Sequence, residues 1–117
     1  MGKITKKDEL FGRMSDPDAA AVLKGPCGDE MEFYLVIKNN RITDIKYYTD
    51  GCEATKFCAE TAALLSKGKT IDEALCISAG EVKKSIRILA DRHIHCAILS
   101  VSTLYRAIAG YLLKQNM

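Results

Sequence analysis

Residues 30–49, EMEFYLVIKNNRITDIKYYT, carry the clearest secondary-structure pattern in the chain. In both halves of this stretch, apolar side chains recur at almost every second position, which is the period of a half-buried β-strand. The apolar set is Met31, Phe33, Leu35 and Ile37, followed by Ile42, Ile45 and Tyr47. Asn39-Asn40 separates the halves, and asparagine tolerates the positive φ of a tight turn. We therefore predict an antiparallel hairpin.

The period changes to about 3.6 immediately after the hairpin, in CEATKFCAETAALLSKG, residues 52–68. This change predicts a helix that follows the second strand directly, with Gly68 as its C-terminal cap. The helical face that we expect to be buried consists of Ala54, Phe57, Cys58, Thr61 and Leu65.

The flanking segments predict further helices and one short strand. TKKDELFGRMSD (5–16) is typical of a short helix with Leu10, Phe11 and Met14 on one side, ended by Asp16-Pro17. AAAVLKGPCGD (19–29) reads as a loop that contains a short strand, TIDEALCI (70–77) opens with a capping box, and AGEVKKSIRILA (79–90) is helical. CAILSVSTLYRAIAGYLLK (96–114) should be the longest buried helix, with Ala97, Val101, Leu104, Ile108 and Leu112 inside. Strands followed by helices indicate a single α+β domain over residues 1–117, a small antiparallel sheet covered by helices.

Composition limits the function classes. The chain has 117 residues, 48% of them hydrophobic, enough for one core. Lys and Arg number 17 against 15 Asp and Glu, and they are scattered, so a nucleic-acid partner is not expected. No apolar run approaches the length of a membrane span, and MGKITKKDELFGR lacks the features of a secretory signal. We expect a cytoplasmic protein without a membrane partner.

The five cysteines fall into two groups. Cys58 shares the expected helical face, and Cys76 lies beside Leu75 and Ile77, so both are expected in the core. Cys27, Cys52 and Cys96 lie at element boundaries, where a thiolate is accessible for ligation or reaction. Because an odd number of cysteines without an export signal argues against a disulfide framework, metal binding or thiol chemistry competes with simple burial.

Topology brings the boundary cysteines together, although their spacing matches no local zinc motif. The loops that carry Cys27 and Cys52 lie at the same end of the hairpin, and Cys96 joins them if the last helix begins there. With one of His95, His93 or Asp29 they would form a four-coordinate site suited to zinc or an iron–sulfur cluster.

Other chemistries find less support. The sequence contains no HExxH, P-loop or GxGxxG motif, and the deaminase pattern begun by Pro26-Cys27 has Glu30 in place of its second cysteine. A His95–Cys96 nucleophile pair remains an alternative, but adjacent residues usually point apart.

Three segments in order, GPCGDEMEFYLVI, DGCEAT and HIHCAIL, resemble the NifU/IscU family of iron–sulfur cluster assembly scaffolds, from about residue 24 to residue 111. The resemblance implies a three-stranded antiparallel sheet with helices packed on it. It also implies a non-enzymatic scaffold that assembles a cluster, commonly [2Fe-2S], with persulfide sulfur from a cysteine desulfurase and delivers it to apoproteins. By match of motif, Cys27, Cys52 and Cys96 resemble the cluster cysteines, Asp29 the aspartate linked with cluster exchange, and His95 the histidine near the site. Zinc is a familiar occupant of such sites in isolated scaffolds.

Departures from the family pattern concern mainly the partners. LADRH (89–93) stands where many members carry a leucine-proline-proline-valine-lysine motif, which leaves recognition by a DnaK-type chaperone in question. Glu53 and Cys58 also depart from the usual small residues, and residues 1–23 form a divergent N-terminal segment. The oligomeric state is open, a homo-oligomer included. The alternatives are a zinc-binding or persulfide-accepting regulator on the same fold and a Cys- or zinc-dependent hydrolase.

Overall fold

A computed structural model describes residues 10–26, 28–86 and 93–115. Its strands are β1 (Ala19–Lys24), β2 (Glu30–Lys38) and β3 (Arg41–Thr49). The helices within the described ranges are α1 (Glu53–Ser66), α2 (Ile71–Ala74), α3 (Ala79–Ser85) and α4 (Ile94–Gln115). The strands form one antiparallel sheet in the order β1-β2-β3. The predicted α+β architecture, with a three-stranded sheet and a long C-terminal helix, is confirmed.

The β2–β3 hairpin forms as predicted and contains one irregularity. Asn39 and Asn40 have φ values of 52° and 64°, the left-handed geometry that a two-residue hairpin turn requires. The register shifts between Val36 and Ile37, because β3 carries an extra residue there. This bulge turns both Ile42 and Ile45 toward the core, and it explains why the apolar alternation of the second strand is imperfect.

One face of the sheet forms the floor of the hydrophobic core. Met31, Phe33 and Leu35 of β2 have no exposed surface, as the alternation predicted. Helix α4 packs on β1 and β2, and α1 packs on β3 and α4. Removing a buried aromatic ring such as that of Phe33 would cost about 3–5 kcal/mol, so this layer contributes substantially to the stability of the fold.

Helix α1 buries a different stripe from the one expected. Cys58 is fully buried, but Phe57 and Thr61 are only half-buried. The buried stripe is instead Thr55, Cys58, Ala59, Glu60, Ala62, Ala63 and Ser66. Most residues of this stripe have small side chains, so the helix backbone can lie close to the neighbouring elements. This close approach, and not the size of the side chains, determines which residues of α1 are buried. The C-terminal cap is Lys67, one residue before the predicted Gly68, and Gly68 follows it with a φ of 85°.

The short helices follow their caps. Thr70 and Glu73 form the predicted capping box, in which the Glu73 N–H donates to Thr70 Oγ1 and the Thr70 N–H donates to Glu73 Oε1, at 3.2 and 2.9 Å. Helix α3 starts after the Ser78 cap and ends at Ser85, five residues before the predicted end at residue 90. Residues 87–90 of that prediction lie outside the described ranges.

The N-terminal helix ends earlier than predicted: Leu10 is helical, but residues 11–16 are not, and residues 5–9 of the prediction lie outside the described ranges. Phe11 pairs with Tyr47 in a parallel bridge, and the Gly12 N–H donates to the Tyr47 carbonyl oxygen at 2.8 Å. After Leu10 the segment thus pairs with the edge of β3 instead of continuing as a helix. Arg13 continues over the outer face of the sheet, 3.9 Å from the Tyr48 ring centroid.

Helix α4 is the longest element, as predicted, with 22 residues. Ala97, Val101, Leu104 and Ile108 are buried, whereas Leu112 is 38% exposed, contrary to expectation. By length and composition alone this helix could cross a membrane, but half of its most apolar window is buried inside the protein. A core helix of a soluble protein meets the same criteria, so the finding is weak evidence for a membrane role.

Candidate functional site

The open end of the β2–β3 hairpin brings two loops together. The last ladder pair joins Met31 to Thr49, so Asp29 and Gly51 lie just beyond it, in the loops before β2 and after β3. The Gly25 N–H donates to the Asp29 carbonyl oxygen at 2.7 Å, which closes the loop before β2. The Gly51 N–H donates to Thr49 Oγ1 at 3.1 Å, which fixes the loop after β3. Two predicted site positions, 29 and 52, are therefore held at one end of the sheet.

Cys52 stands at the N-cap position of α1 with its side chain exposed. The Thr55 hydroxyl, 3.5 Å from Cys52 Sγ, contributes most to lowering the pKa of the thiol below its ordinary value. The backbone N–H groups of Thr55 and Ala54 lower this pKa further, while partial burial and the Asp29 carboxylate oppose the shift. The strand-to-helix junction thus favours a thiolate at Cys52, as the sequence suggested.

Cys96 approaches the same point from the first turn of α4. Its side chain is only 2% exposed, and its Sγ lies 3.5 Å from Thr55 Oγ1. His95 Nε2 lies 3.6 Å from Cys96 Sγ. The N-terminus of the last helix therefore lies at the hairpin end, which was the condition for Cys96 to join the site.

Thr55 connects these side chains, and the sequence did not single it out. Its side chain is fully buried, and its hydroxyl donates to Asp29 Oδ2 at 2.8 Å while contacting both Cys52 and Cys96 sulfur atoms. The available signal was spacing, since Thr55 follows Cys52 by three residues and so lies on the same side of the helix.

The site lacks a closed cage among the described residues. Within ranges 10–26, 28–86 and 93–115, no three His, Cys, Asp or Glu side chains converge closely enough to hold a metal ion by themselves. Cys27, the remaining predicted ligand, lies outside those ranges. Thiolates, an imidazole and a carboxylate are the donors that suit zinc or iron, so the chemistry of the donor set fits.

Comparison with known proteins decides the family. The profile of the NifU-like N terminal domain matches residues 1–117. The chain belongs to the NifU-like N-terminal domain family.

Relatives in this family are named for cluster assembly. The iron-sulfur cluster assembly scaffold protein IscU 1 of Archaeoglobus fulgidus is 39% identical over 106 residues, which cover 90% of this chain and 69% of the relative. The iron-sulfur cluster assembly enzyme IscU of Drosophila melanogaster is 31% identical over 117 residues, which cover 99% of this chain and 71% of the relative. The resemblance read from the sequence motifs is therefore confirmed.

Solved structures support the fold. FiSufU from Fervidobacterium islandicum AW-1 superposes with a TM-score of 0.69 at 18% identity, over 86% of this chain and 88% of the other. The N-terminal NifU-like protein of Brucella abortus gives 0.54 at 23% identity, over 90% and 76%. At these identities the likeness concerns architecture alone.

The two remaining cysteines and His93 differ in how well they match the prediction. Cys58 lies in the core, and burial, then the nearby Cys96 and Cys52, raises the pKa of its thiol to about 12. The core prediction for Cys76 is wrong: helix α2 ends at Ala74, and Cys76 in the following turn is exposed. His93, one of the three candidates for the fourth ligand, is half-buried, with its ring centroid 6.3 Å from that of His95.

Proposed function

We propose that this chain is an iron–sulfur cluster assembly scaffold, which holds a transient cluster as its cargo and passes it to apoproteins. One observation carries the proposal: Asp29, Cys52 and Cys96 converge on a single hydroxyl at the open end of the sheet. Membership in the NifU-like family and the names of the related scaffolds support it.

The proposed ligands combine strong and weak donors. Cys27, Cys52 and Cys96 would supply thiolates, with Asp29 or His95 completing the set. Thiolates bind iron tightly, whereas an oxygen or imidazole ligand is exchanged more readily. A scaffold has to release its cluster, so we propose a [2Fe-2S] cargo held by this mixed set. The same donors would accept zinc in the isolated protein.

Sulfur would arrive from a cysteine desulfurase as a persulfide. Of the described proposed ligands, Cys52 is exposed and has the lowered thiol pKa, so its thiolate is accessible to a donor protein. The thiolate attacks the outer sulfur of the donor persulfide, a new S–S bond forms on Cys52, and the donor leaves as its own thiolate. This transfer needs no external oxidant or reductant, because the sulfane sulfur only changes its partner, whereas its later reduction to cluster sulfide draws electrons from a separate reductant.

The partners of the proposed scaffold are the desulfurase and the apoproteins that accept its cluster. The chain itself would catalyse no reaction on a small-molecule substrate. We place it in the cytoplasm, where thiols stay reduced and available for ligation.

Anaerobic reconstitution tests the proposal. The metal-free chain is supplied with ferrous iron, cysteine, a desulfurase and a dithiol reductant that converts sulfane sulfur to sulfide, and iron, acid-labile sulfide and visible absorption are measured. We expect a coloured cluster in the wild type, and its loss in Cys27→Ser, Cys52→Ser and Cys96→Ser. Cys58→Ser is the matched control, because it makes the same change in the core of α1 and should retain the cluster.

Two outcomes would contradict the proposal. Tight zinc retention without any cluster would identify a zinc-holding regulator on the same fold. A loss of cluster in Cys58→Ser as complete as in Cys52→Ser, with both variants folded by circular dichroism, would refute the ligand assignment.

A further inference from the structure

Thr55 lies where the described parts of the candidate site meet. It occupies the third position of α1, two residues beyond the helix start, and its side chain has no exposed surface. Its Oγ1 lies 2.8 Å from Asp29 Oδ2 and 3.5 Å from the sulfur atoms of both Cys52 and Cys96. A buried hydroxyl with three such neighbours is a structural link between two loops and two helices.

The hydroxyl distributes its hydrogen bonds unequally. It carries one hydrogen and two acceptor positions, so it can donate to only one neighbour at a time. While the Cys52 sulfur is a neutral thiol, the short contact to the carboxylate takes that hydrogen, since a bond to a charged acceptor is stronger. Once Cys52 is ionised, its thiolate competes for the same hydrogen, and this competition is how the hydroxyl lowers the pKa of that thiol. The direct effect of the hydroxyl is therefore to fix the orientation of the Asp29 side chain, with both sulfur atoms held against the same oxygen.

Gly51 provides independent evidence that this arrangement is built into the backbone. A Cβ atom at position 51 would lie 2.7 Å from Asp29 Oδ2 and 2.9 Å from its Cγ. Such distances are below van der Waals contact, so the carboxylate can lie against Thr55 only where residue 51 has no side chain. The strand end, the glycine and the threonine together define one position for the carboxylate.

We propose that Thr55 is a positioning residue for metal capture, which orients the Asp29 carboxylate toward the Cys52 and Cys96 sulfur atoms before an ion arrives. This inference rests on the proposed function and deepens the same site. Thr55 acts through Asp29 and need not bind the ion itself. Second-layer partners of this kind typically change metal affinity by about 10–100-fold when they are removed.

The test measures Co²⁺ binding by the full-length, metal-free chain under reducing, oxygen-free conditions, with a competing chelator to set the free ion. Thr55→Val replaces the hydroxyl with a methyl group of similar size, and we expect affinity to fall by about 10–100-fold. Thr55→Ser keeps the hydroxyl and should bind as the wild type does. The thiolate-to-cobalt charge-transfer absorption should persist in Thr55→Val at saturating ion, because the cysteines are retained.

A double-mutant cycle with Asp29→Ala separates positioning from general support of the fold. If Thr55 acts through the carboxylate, Thr55→Val should have no further effect on affinity once Asp29 is absent. Thermal unfolding of each variant identifies any that fail to fold, and Thr55→Ser then supplies the folded comparison.

Three results would overturn the inference: wild-type affinity in Thr55→Val, an undiminished loss in the Asp29→Ala background, or failure of Thr55→Ser to restore binding. These results all assume that the wild-type chain binds Co²⁺. If the wild type binds none, the proposed ligand site is wrong and both proposals fail together.

Discussion

Gly51→Ala places one methyl group at the most crowded backbone position of the site. The new Cβ would lie 2.7 Å from Asp29 Oδ2 and 3.0 Å from Thr55 Cβ. The carboxylate is the end of a short side chain and can rotate away, but Thr55 Cβ is fixed by the helix. We therefore expect Asp29 to leave its hydrogen bond with Thr55, and some strain against α1 to remain.

The magnitude follows from two opposing effects. Overpacking at a tight contact costs about 1–3 kcal/mol, whereas alanine restricts the unfolded chain and returns about 0.4–1 kcal/mol. The backbone at Gly51 is not in the left-handed region, so alanine adds no conformational strain there. The net expectation is a loss of about 0.5–2 kcal/mol in the free energy of unfolding.

Urea denaturation followed by circular dichroism measures this difference, with Gly110→Ala as the matched control. No atom lies within 4 Å of a Cβ built at Gly110, in the exposed part of α4, so this change should stabilise the chain by about 0.5–1 kcal/mol. In an Asp29→Ala background, Gly51→Ala should cost less, because the carboxylate is absent. Equal stability of Gly51→Ala and the wild type, or an unchanged cost in that background, would show that the methyl group does not clash with the Asp29 carboxylate.

Three further predictions concern the helix cap, the acid limit and the thiols. Thr70→Ala should lower stability by about 1 kcal/mol in urea denaturation, because it removes the side-chain cap of α2, and an unchanged midpoint would contradict this. The hydrogen bond from Arg13 lowers the pKa of Glu32 in the folded chain below its ordinary value of 4.5. The ionised carboxylate therefore stabilises the fold above pH 4.5, and this stabilisation is lost as the pH falls through the pKa of Glu32 in the folded chain. Glu32→Gln should flatten that part of the acid-unfolding curve, and equal steepness would count against the ion pair. At neutral pH, iodoacetamide should modify the exposed Cys52 quickly, whereas Cys58 is buried, its pKa is about 12, and it should react only after denaturation. Peptide mapping measures both rates, and equal rates would show that burial does not protect Cys58.

Local chemistry made the hairpin predictable from the sequence. Met31, Phe33 and Leu35 alternate because one face of β2 is buried, and the Asn39-Asn40 turn requires a backbone that asparagine tolerates. The capping box is equally local, since both of its partners lie within one helical turn.

Features that depend on contacts between residues distant in the chain could not be predicted from the sequence. The sequence pattern of residues 5–16 predicts a helix, yet Phe11 pairs with Tyr47 because β3 is an edge strand whose outer backbone groups need hydrogen-bond partners. Cys76 is apolar and has apolar neighbours, but its exposure depends on where α2 ends. Thr55 looks ordinary in a helical pattern, and only the packing of α4 against α1 shows that its hydroxyl faces Cys96.

The three motif cysteines were easier to identify than to place. Cys52 and Cys96 could be assigned to element boundaries from the change in period, and the structure brings both to Thr55. Cys96 lies near Thr55 only because α4 begins at this end of the sheet, and no local sequence pattern encodes the direction of that helix. Ligation by any of these cysteines, and by Asp29 or His95, remains a prediction.

Cluster transfer to an acceptor protein distinguishes a scaffold from a protein that only binds iron. The chain is reconstituted anaerobically, separated from free iron and sulfide, and mixed with an apo-ferredoxin in the presence of an iron chelator. We expect the ferredoxin to gain its cluster spectrum at the rate at which this chain loses its own, with little iron reaching the chelator. Iron captured by the chelator while the ferredoxin stays empty would contradict a scaffold function.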